Sequence, residues 1–164
     1  MKTYLARHGQ YNSADVDPLK GLSDTGKAEI GRLAETLRGL DINVAVIWHS
    51  GKARAEETAQ ILANAVKSAN GLIKQNGLNP DDPVDDVANE IQALDRNLMI
   101  VGHLPFMAKL TAKLLTGGSS QCAVNFPTGG IICLDYTRGQ WSLDWFINPQ
   151  IIAGDQGPSF RSYH

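Results

Sequence analysis

The chain reads as an α/β protein, a three-layer α/β/α sandwich built on a mostly parallel, mixed sheet of about six strands. Three observations predict this. Two continuous apolar runs, Val44-Ala45-Val46-Ile47-Trp48 and Asn97-Leu98-Met99-Ile100-Val101, suit strands buried on both faces of a parallel sheet. Segments with apolar residues at helical spacing lie between the runs. Near the end, two β-rich runs separated by Thr137-Arg138-Gly139-Gln140 make a hairpin, which adds at least one antiparallel strand.

The first strand is Lys2-Thr3-Tyr4-Leu5-Ala6-Arg7, leading into His8 and Gly9. The polar stretch from Gln10 to Gly21, with Pro18, reads as a loop. Ser23 caps a helix whose inner face is Ile30, Leu33, Ala34 and Leu37, with Gly39 at its end. The apolar run 44–48 ends in His49-Ser50-Gly51, and a second helix starts near Lys52, with Ala55, Thr58, Ala59, Leu62, Ala63 and Val66 inward. Residues 72–75 form a short strand before the Asn76-Gly77 turn. Asn79-Pro80-Asp81-Asp82-Pro83 opens a third helix with Val84, Val87, Ala88, Ile91 and Leu94 on its apolar face, its aspartates facing the positive end of the dipole. The run 97–101 ends in Gly102-His103. Pro105 fits the first turn of a fourth helix that Gly117-Gly118-Ser119-Ser120 closes. Residues 130–136 and 141–146 are the hairpin strands.

At 164 residues and 17.7 kDa the chain fits one domain, expected over residues 1–148, with 149–164 as a loosely held polar tail. A net charge of −2 supplies no broad field for nucleic acid or an anionic membrane, so any basic site must be local. No apolar stretch approaches the roughly 18 residues of a membrane helix, and Arg7 interrupts the N-terminal run before a signal-peptide core forms. Cys122 and Cys133 read as free thiols of a reducing compartment. The expectation is a soluble, cytoplasmic protein.

Three predicted strands end in polar residues of one chemical theme: Arg7-His8, His49-Ser50 with Arg54 one helical turn later, and Gly102-His103. In a parallel sheet those C-terminal ends lie on one edge, where ligands bind. Two arginines and two histidines around one pocket match the negative charge of a phosphoryl group. The second helix would aim its N-terminal amides at the same anion. One histidine could attack phosphorus and carry the phosphoryl group, while the other and both arginines stabilise charge in the transition state. Such a site needs no metal and no cofactor.

These residues carry a family resemblance. Arg7-His8-Gly9 at the end of the first strand resembles the signature of the histidine phosphatase superfamily, which includes phosphoglycerate mutases. Leu22-Ser23-Asp24-Thr25-Gly26 resembles its Leu-Thr-x-x-Gly helix start. Ser50-Gly51-Lys52-Ala53-Arg54-Ala55-Glu56-Glu57-Thr58-Ala59 resembles its Ser-Pro-x-x-Arg-Ala-x-x-Thr-Ala segment. Gly102-His103-Leu104-Pro105 resembles the second-histidine motif in the form seen in SixA-type phosphohistidine phosphatases. The resemblance implies a phosphoglycerate mutase-like fold and a role for each matched position. His8 would be the phosphorylated nucleophile, Arg7, Arg54 and His103 would bind the transferring group, and Ser50 would help shape the pocket. It implies a phosphohistidine-bearing protein as substrate and inorganic phosphate as product; the open, shallow site expected of so short a chain suits a monomer, and the net charge points to neither nucleic acid nor membrane as partner. The alternatives are the same pocket acting on a small phosphomonoester, and a phosphate-binding interaction module without turnover.

The chain departs from the family pattern in three places. Lys20 stands nearest to where the subgroup carries arginine, keeping the charge without the bidentate fork, and is a candidate substrate-binding residue. Gly51 replaces a proline, which predicts a looser turn. The larger family members use a carboxylic acid to protonate the leaving oxygen. The candidates here are Asp81, Asp82, Asp85, Asp86 and Glu90, all explained as well by helix capping and solvation. A leaving imidazole, with a pKa near about 6.5, does not need a strong acid, so a missing carboxylate favours a P–N substrate.

Other signals carry less. Gly21-Leu22-Ser23-Asp24-Thr25-Gly26-Lys27-Ala28 superficially resembles a P-loop but has Ala28 where a magnesium-binding hydroxyl belongs, and it follows a polar loop. Cysteine-phosphatase chemistry needs an arginine six positions after the cysteine, where Cys122 and Cys133 have Thr128 and Gly139. Zinc on His8, His49 and His103 fits less well than an anion, because arginines flank them.

Overall fold

The N-terminal apolar run forms β1 (Lys2–Arg7), and the capped segment after the polar loop forms α1 (Asp24–Arg38), where the Ser23 hydroxyl accepts from the amide of Gly26. Then come β2 (Asn43–Val44), β3 (Val46–His49), α2 (Ala53–Leu62), β4 (Lys67–Ser68), β5 (Leu72–Lys74), α3 (Asp85–Leu94), β6 (Leu98–Gly102), α4 (Phe106–Thr116), β7 (Ile131–Thr137) and β8 (Gln140–Ile147). This computed structural model describes residues 1–119 and 124–152.

Six strands pair in the order β5-β3-β6-β1-β7-β8, parallel from β5 through β1 and antiparallel across β7 and β8. This is the mixed α/β sheet the pattern predicts. Alternation along each strand separates two cores. Tyr4, Ala6, Ile47, Met99, Val101, Ile131 and Cys133 face α1 and α2, while Leu5, Val46, Trp48, Leu98, Ile100, Ile132 and Leu134 face α3 and α4. The helices therefore cover both faces. Register sets the site: Arg7 lies opposite Gly102 and His49 opposite Val101, so β1, β3 and β6 end at one level on one edge.

The structure corrects the expected elements in four places. The run 44–48 is not one strand, because Ala45 gives its N–H to the carbonyl of Asn97 and its carbonyl to the amide of Asn70. Asn43 and Val44 pair instead with β4, an element with no signal of its own in the sequence, in a separate two-stranded sheet. Helix α2 stops at Leu62, leaving Val66 buried beyond its end. Helix α3 starts at Asp85, since residues 79–82 form a turn in which the Asp82 carboxylate accepts from the amide of Asn79. The segment expected as a tail opens with a 3-10 turn, Pro149–Ile151, with Pro149 buried and Ile152 packed on the α1–α2 core. Residues 153–164, Ser120 and Cys122 lie outside the described residues. Cys133 is a free, buried thiol, pushed up to about 12 chiefly by burial. No helix among the described residues is long and apolar enough to cross a membrane.

Candidate active site

The edge where β1, β3 and β6 end gathers the predicted side chains. The backbone of Arg7 and His8 is fixed from both sides: Arg7 N–H donates to Gly130, His8 N–H donates to Gly102, and the His8 carbonyl accepts from Gly129. The amide of Gly9 donates to the Thr58 hydroxyl (3.0 Å), which donates to the carbonyl of Arg54 (2.7 Å), tying the end of β1 to the first turn of α2. Gly26 lets α1 approach this strand end, for a Cβ there would lie 2.1 Å from the carbonyl oxygen of Gln10. The glycine of the helix-start motif is thus a close-packing requirement.

The His8 ring is 5% exposed, with Nδ1 2.8 Å from the carbonyl oxygen of Gly9. A carbonyl only accepts, so Nδ1 carries the proton and Nε2 keeps its lone pair. Burial pushes His8 down to about 4, against an upward pull from the Gly9 bond and with lesser downward pushes from the nearby Arg54 and Arg7 charges. His103, 5.0 Å away between ring centroids, is pushed down to about 3 by burial, then by His8, Arg54 and Lys52. Both rings are therefore neutral near pH 7.

Ser50 Oγ lies 2.6 Å from Nε2 of His103 and 3.3 Å from the amide of Lys52. The turn holding Ser50 is not loose. Gly51 has φ +88° and donates its N–H to Nδ1 of His49 (3.1 Å). A proline could supply neither that φ nor that proton. His49, read from the sequence as a strand end and a weak zinc candidate, braces this turn through its Nδ1. Among the described residues no group of three or more His, Cys, Asp or Glu is arranged to hold a metal ion.

Arg7 donates from one terminal nitrogen to the carbonyl of Phe126 (2.8 Å). Arg54 lays its guanidinium carbon 4.8 Å from the centroid of the Tyr11 ring. The Nε atoms of both arginines and Nδ1 of His103 are buried without hydrogen-bond partners. Buried polar groups are normally satisfied, so three orphans around one neutral, lone-pair-bearing nitrogen describe a site shaped for an anion.

His8, Arg7, Arg54, His103 and Ser50 thus share one pocket. Lys20 sits in the exposed loop at φ +52°, held through its own backbone by Asp17, and no contact among the described residues joins its side chain to the pocket. The carboxylate candidates are also engaged elsewhere or exposed. Asp82 caps its turn, Asp85 pairs with Lys113 at 3.2 Å, and Glu90 accepts from Gln75. Asp81 and Asp86 are exposed. Sequence reasoning missed Tyr11, whose signal was an aromatic ring three positions after His8 in an otherwise polar loop. It also missed the brace from His49, which no local pattern announces.

Residues 3–79 match the family model of the histidine phosphatase superfamily, branch 1, a stretch that holds Arg7, His8, Ser50 and Arg54. Over that stretch the chain is similar to the histidine phosphatase superfamily. The chain is 25% identical over 156 residues to the phosphohistidine phosphatase SixA of Escherichia coli (strain K12), covering 91% of this chain and 94% of that protein. Its fold matches that of the protein histidine phosphatase SixA complexed with tungstate, with a TM-score of 0.80, 23% identity, and 91% and 97% of the two chains covered. It also matches a phosphoserine phosphatase from Entamoeba histolytica in complex with 3-phosphoglyceric acid, with a TM-score of 0.65, 18% identity, and 90% and 96% covered. These similarities support a phosphatase, a hydrolase, as the chain's kind of activity. His103 lies beyond the family match, within the chain that shares the fold.

Proposed function

We propose that this protein removes the phosphoryl group from a phosphorylated histidine of a protein, through a covalent phosphohistidine on His8 and without a metal. The observation that carries the reading is the state of the His8 ring: neutral, with Nδ1–H bonded to Gly9 and the Nε2 lone pair left for phosphorus. A tungstate complex in a protein of the same fold supports an oxyanion as ligand.

In the first step Nε2 of His8 attacks phosphorus and the P–N bond of the substrate breaks. The electron pair returns to the leaving ring, which departs as neutral imidazole because its other nitrogen is protonated. In the second step water attacks phosphorus and the bond to His8 breaks. Inorganic phosphate leaves, and the water's protons pass to phosphate and solvent. Arg7 and Arg54 supply two positive charges to the phosphoryl oxygens, and their orphan Nε–H groups are already desolvated. The Lys52 amide occupies one lone pair of the Ser50 oxygen, and the Ser50 hydroxyl hydrogen goes to Nε2 of His103. His103 then carries its proton on Nδ1, the unpartnered atom, and donates it to a phosphoryl oxygen as a neutral hydrogen bond.

No candidate carboxylate contacts the five pocket side chains among the described residues, which supports a substrate whose leaving group needs no strong acid. In this reading the protein is a cytoplasmic monomer of one domain over residues 1–148, and Lys20 meets the protein substrate. The rival substrate is a small phosphomonoester, as in the complex with 3-phosphoglyceric acid; a binding module without turnover is the other alternative.

Brief exposure to a protein carrying labelled phosphohistidine, followed by peptide mapping, should place an acid-labile label on His8. His8→Ala should abolish both label and turnover while leaving the fold intact. Turnover surviving in that variant overturns the nucleophile, and faster turnover of sugar or aryl phosphates overturns the substrate.

A further inference from the structure

Tyr11 lies outside the four segments that carry the family resemblance, yet its side chain touches the pocket at two points. Its ring stands edge-on to His8, with centroids 5.3 Å apart and planes at 72°, and its face lies under the Arg54 guanidinium carbon at 4.8 Å. Its backbone is pinned by a bridge to Leu22, and the next amide, of Asn12, donates to Gly21. The ring is nonetheless 46% exposed. A fixed backbone under a half-exposed aromatic ring marks a side chain placed for a contact made outside the core.

Arg54 shows what that contact does. Its guanidinium forms no ion pair and no hydrogen bond among the described residues, and its Nε is buried without a partner. A long side chain with so few anchors has rotamer freedom to lose on gripping an anion. The Tyr11 face attracts the cation and limits that freedom before the anion arrives.

We propose that Tyr11 is a positioning residue, whose ring face holds the Arg54 guanidinium at the phosphoryl pocket. The inference rests on the pocket binding a phosphoryl-like anion and not on which substrate supplies it. The face acts and the hydroxyl does not, so phenylalanine substitutes for tyrosine and an aliphatic residue does not.

The test is a double-mutant cycle read by orthovanadate binding to the full chain. Tyr11→Phe should bind vanadate as the wild type does, and Tyr11→Leu should bind it about 2- to 5-fold more weakly. In an Arg54→Ala background, Tyr11→Leu should have no further effect. An unchanged affinity in Tyr11→Leu, or the same loss with Arg54 already removed, overturns this role and leaves the pocket standing. A wild-type protein that binds no vanadate overturns the pocket and this inference with it. A preference for small phosphate esters over phosphohistidine leaves the vanadate cycle unaffected, so the two readings fail separately.

Discussion

Arg7 and Arg54 bring the same charge to the same anion from two kinds of support. Arg7 closes a central strand, with its backbone bonded to Gly130 and its guanidinium to Phe126. Arg54 stands on a helix behind a turn of unusual backbone, with its head resting on Tyr11. The first is fixed by the sheet ladder, which specifies register wherever a face is buried. The second depends on the turn 49–51, on the Thr58 hydroxyl bonded to the Arg54 carbonyl, and on one half-exposed ring. The difference teaches that one half of the pocket belongs to the fold, while the other is assembled locally.

Breaking each half should give different signatures. Arg7→Ala and Arg54→Ala should each lower kcat/KM by about 10²- to 10³-fold, as the loss of a charge-stabilising donor does. Only Arg7→Ala should also lower the melting temperature, because it leaves the partly buried carbonyl of Phe126 unpaired. Equal melting temperatures for the two variants would erase the distinction.

The turn is tested next. Gly51→Pro restores the residue the family pattern carries, yet it demands a negative φ where the backbone stands at +88° and deletes the N–H given to His49. It should cost about 1–3 kcal/mol in urea unfolding and weaken activity through Ser50 and Arg54. A stabilised Gly51→Pro would mean that the turn is not held as described.

A further effect is a pH dependence shared by both halves. His8 and His103 titrate near about 4 and about 3 in the folded protein, below the usual 6.5 of an unfolded chain. Between those values the unfolded state binds more protons. Their contribution to stability is therefore complete above about 6.5 and is lost as pH falls toward 4 and then 3. Urea midpoints should be lower at pH 5 than at pH 7, and replacing His8 and His103 with asparagine should flatten that slope.

The sheet and its helices were legible because burial on both faces writes itself into continuous apolar runs. The pocket histidines and arginines were legible because they follow those runs directly. The break at Ala45 was not, since it depends on Asn97 and Asn70, distant in sequence. The start of α3 at Asp85 was hidden because Asp82 serves a turn with the same chemistry that would serve a helix cap. Gly51 read as a loosened proline because the compensating imidazole two residues earlier acts through a backbone amide. Tyr11 was invisible for a similar reason, as its partner Arg54 is joined to it only by folding.

The central place of β1, between β6 and β7, has a consequence for populations. Arg7 and His8 can leave their working geometry only when two ladders open together. Their misarranged fraction is thus governed by the free energy of the whole domain, typically about 5–15 kcal/mol. Residues 50–52, between β3 and α2, belong to no ladder, so opening there is local and variation there can retune how tightly an anion is gripped without endangering the nucleophile.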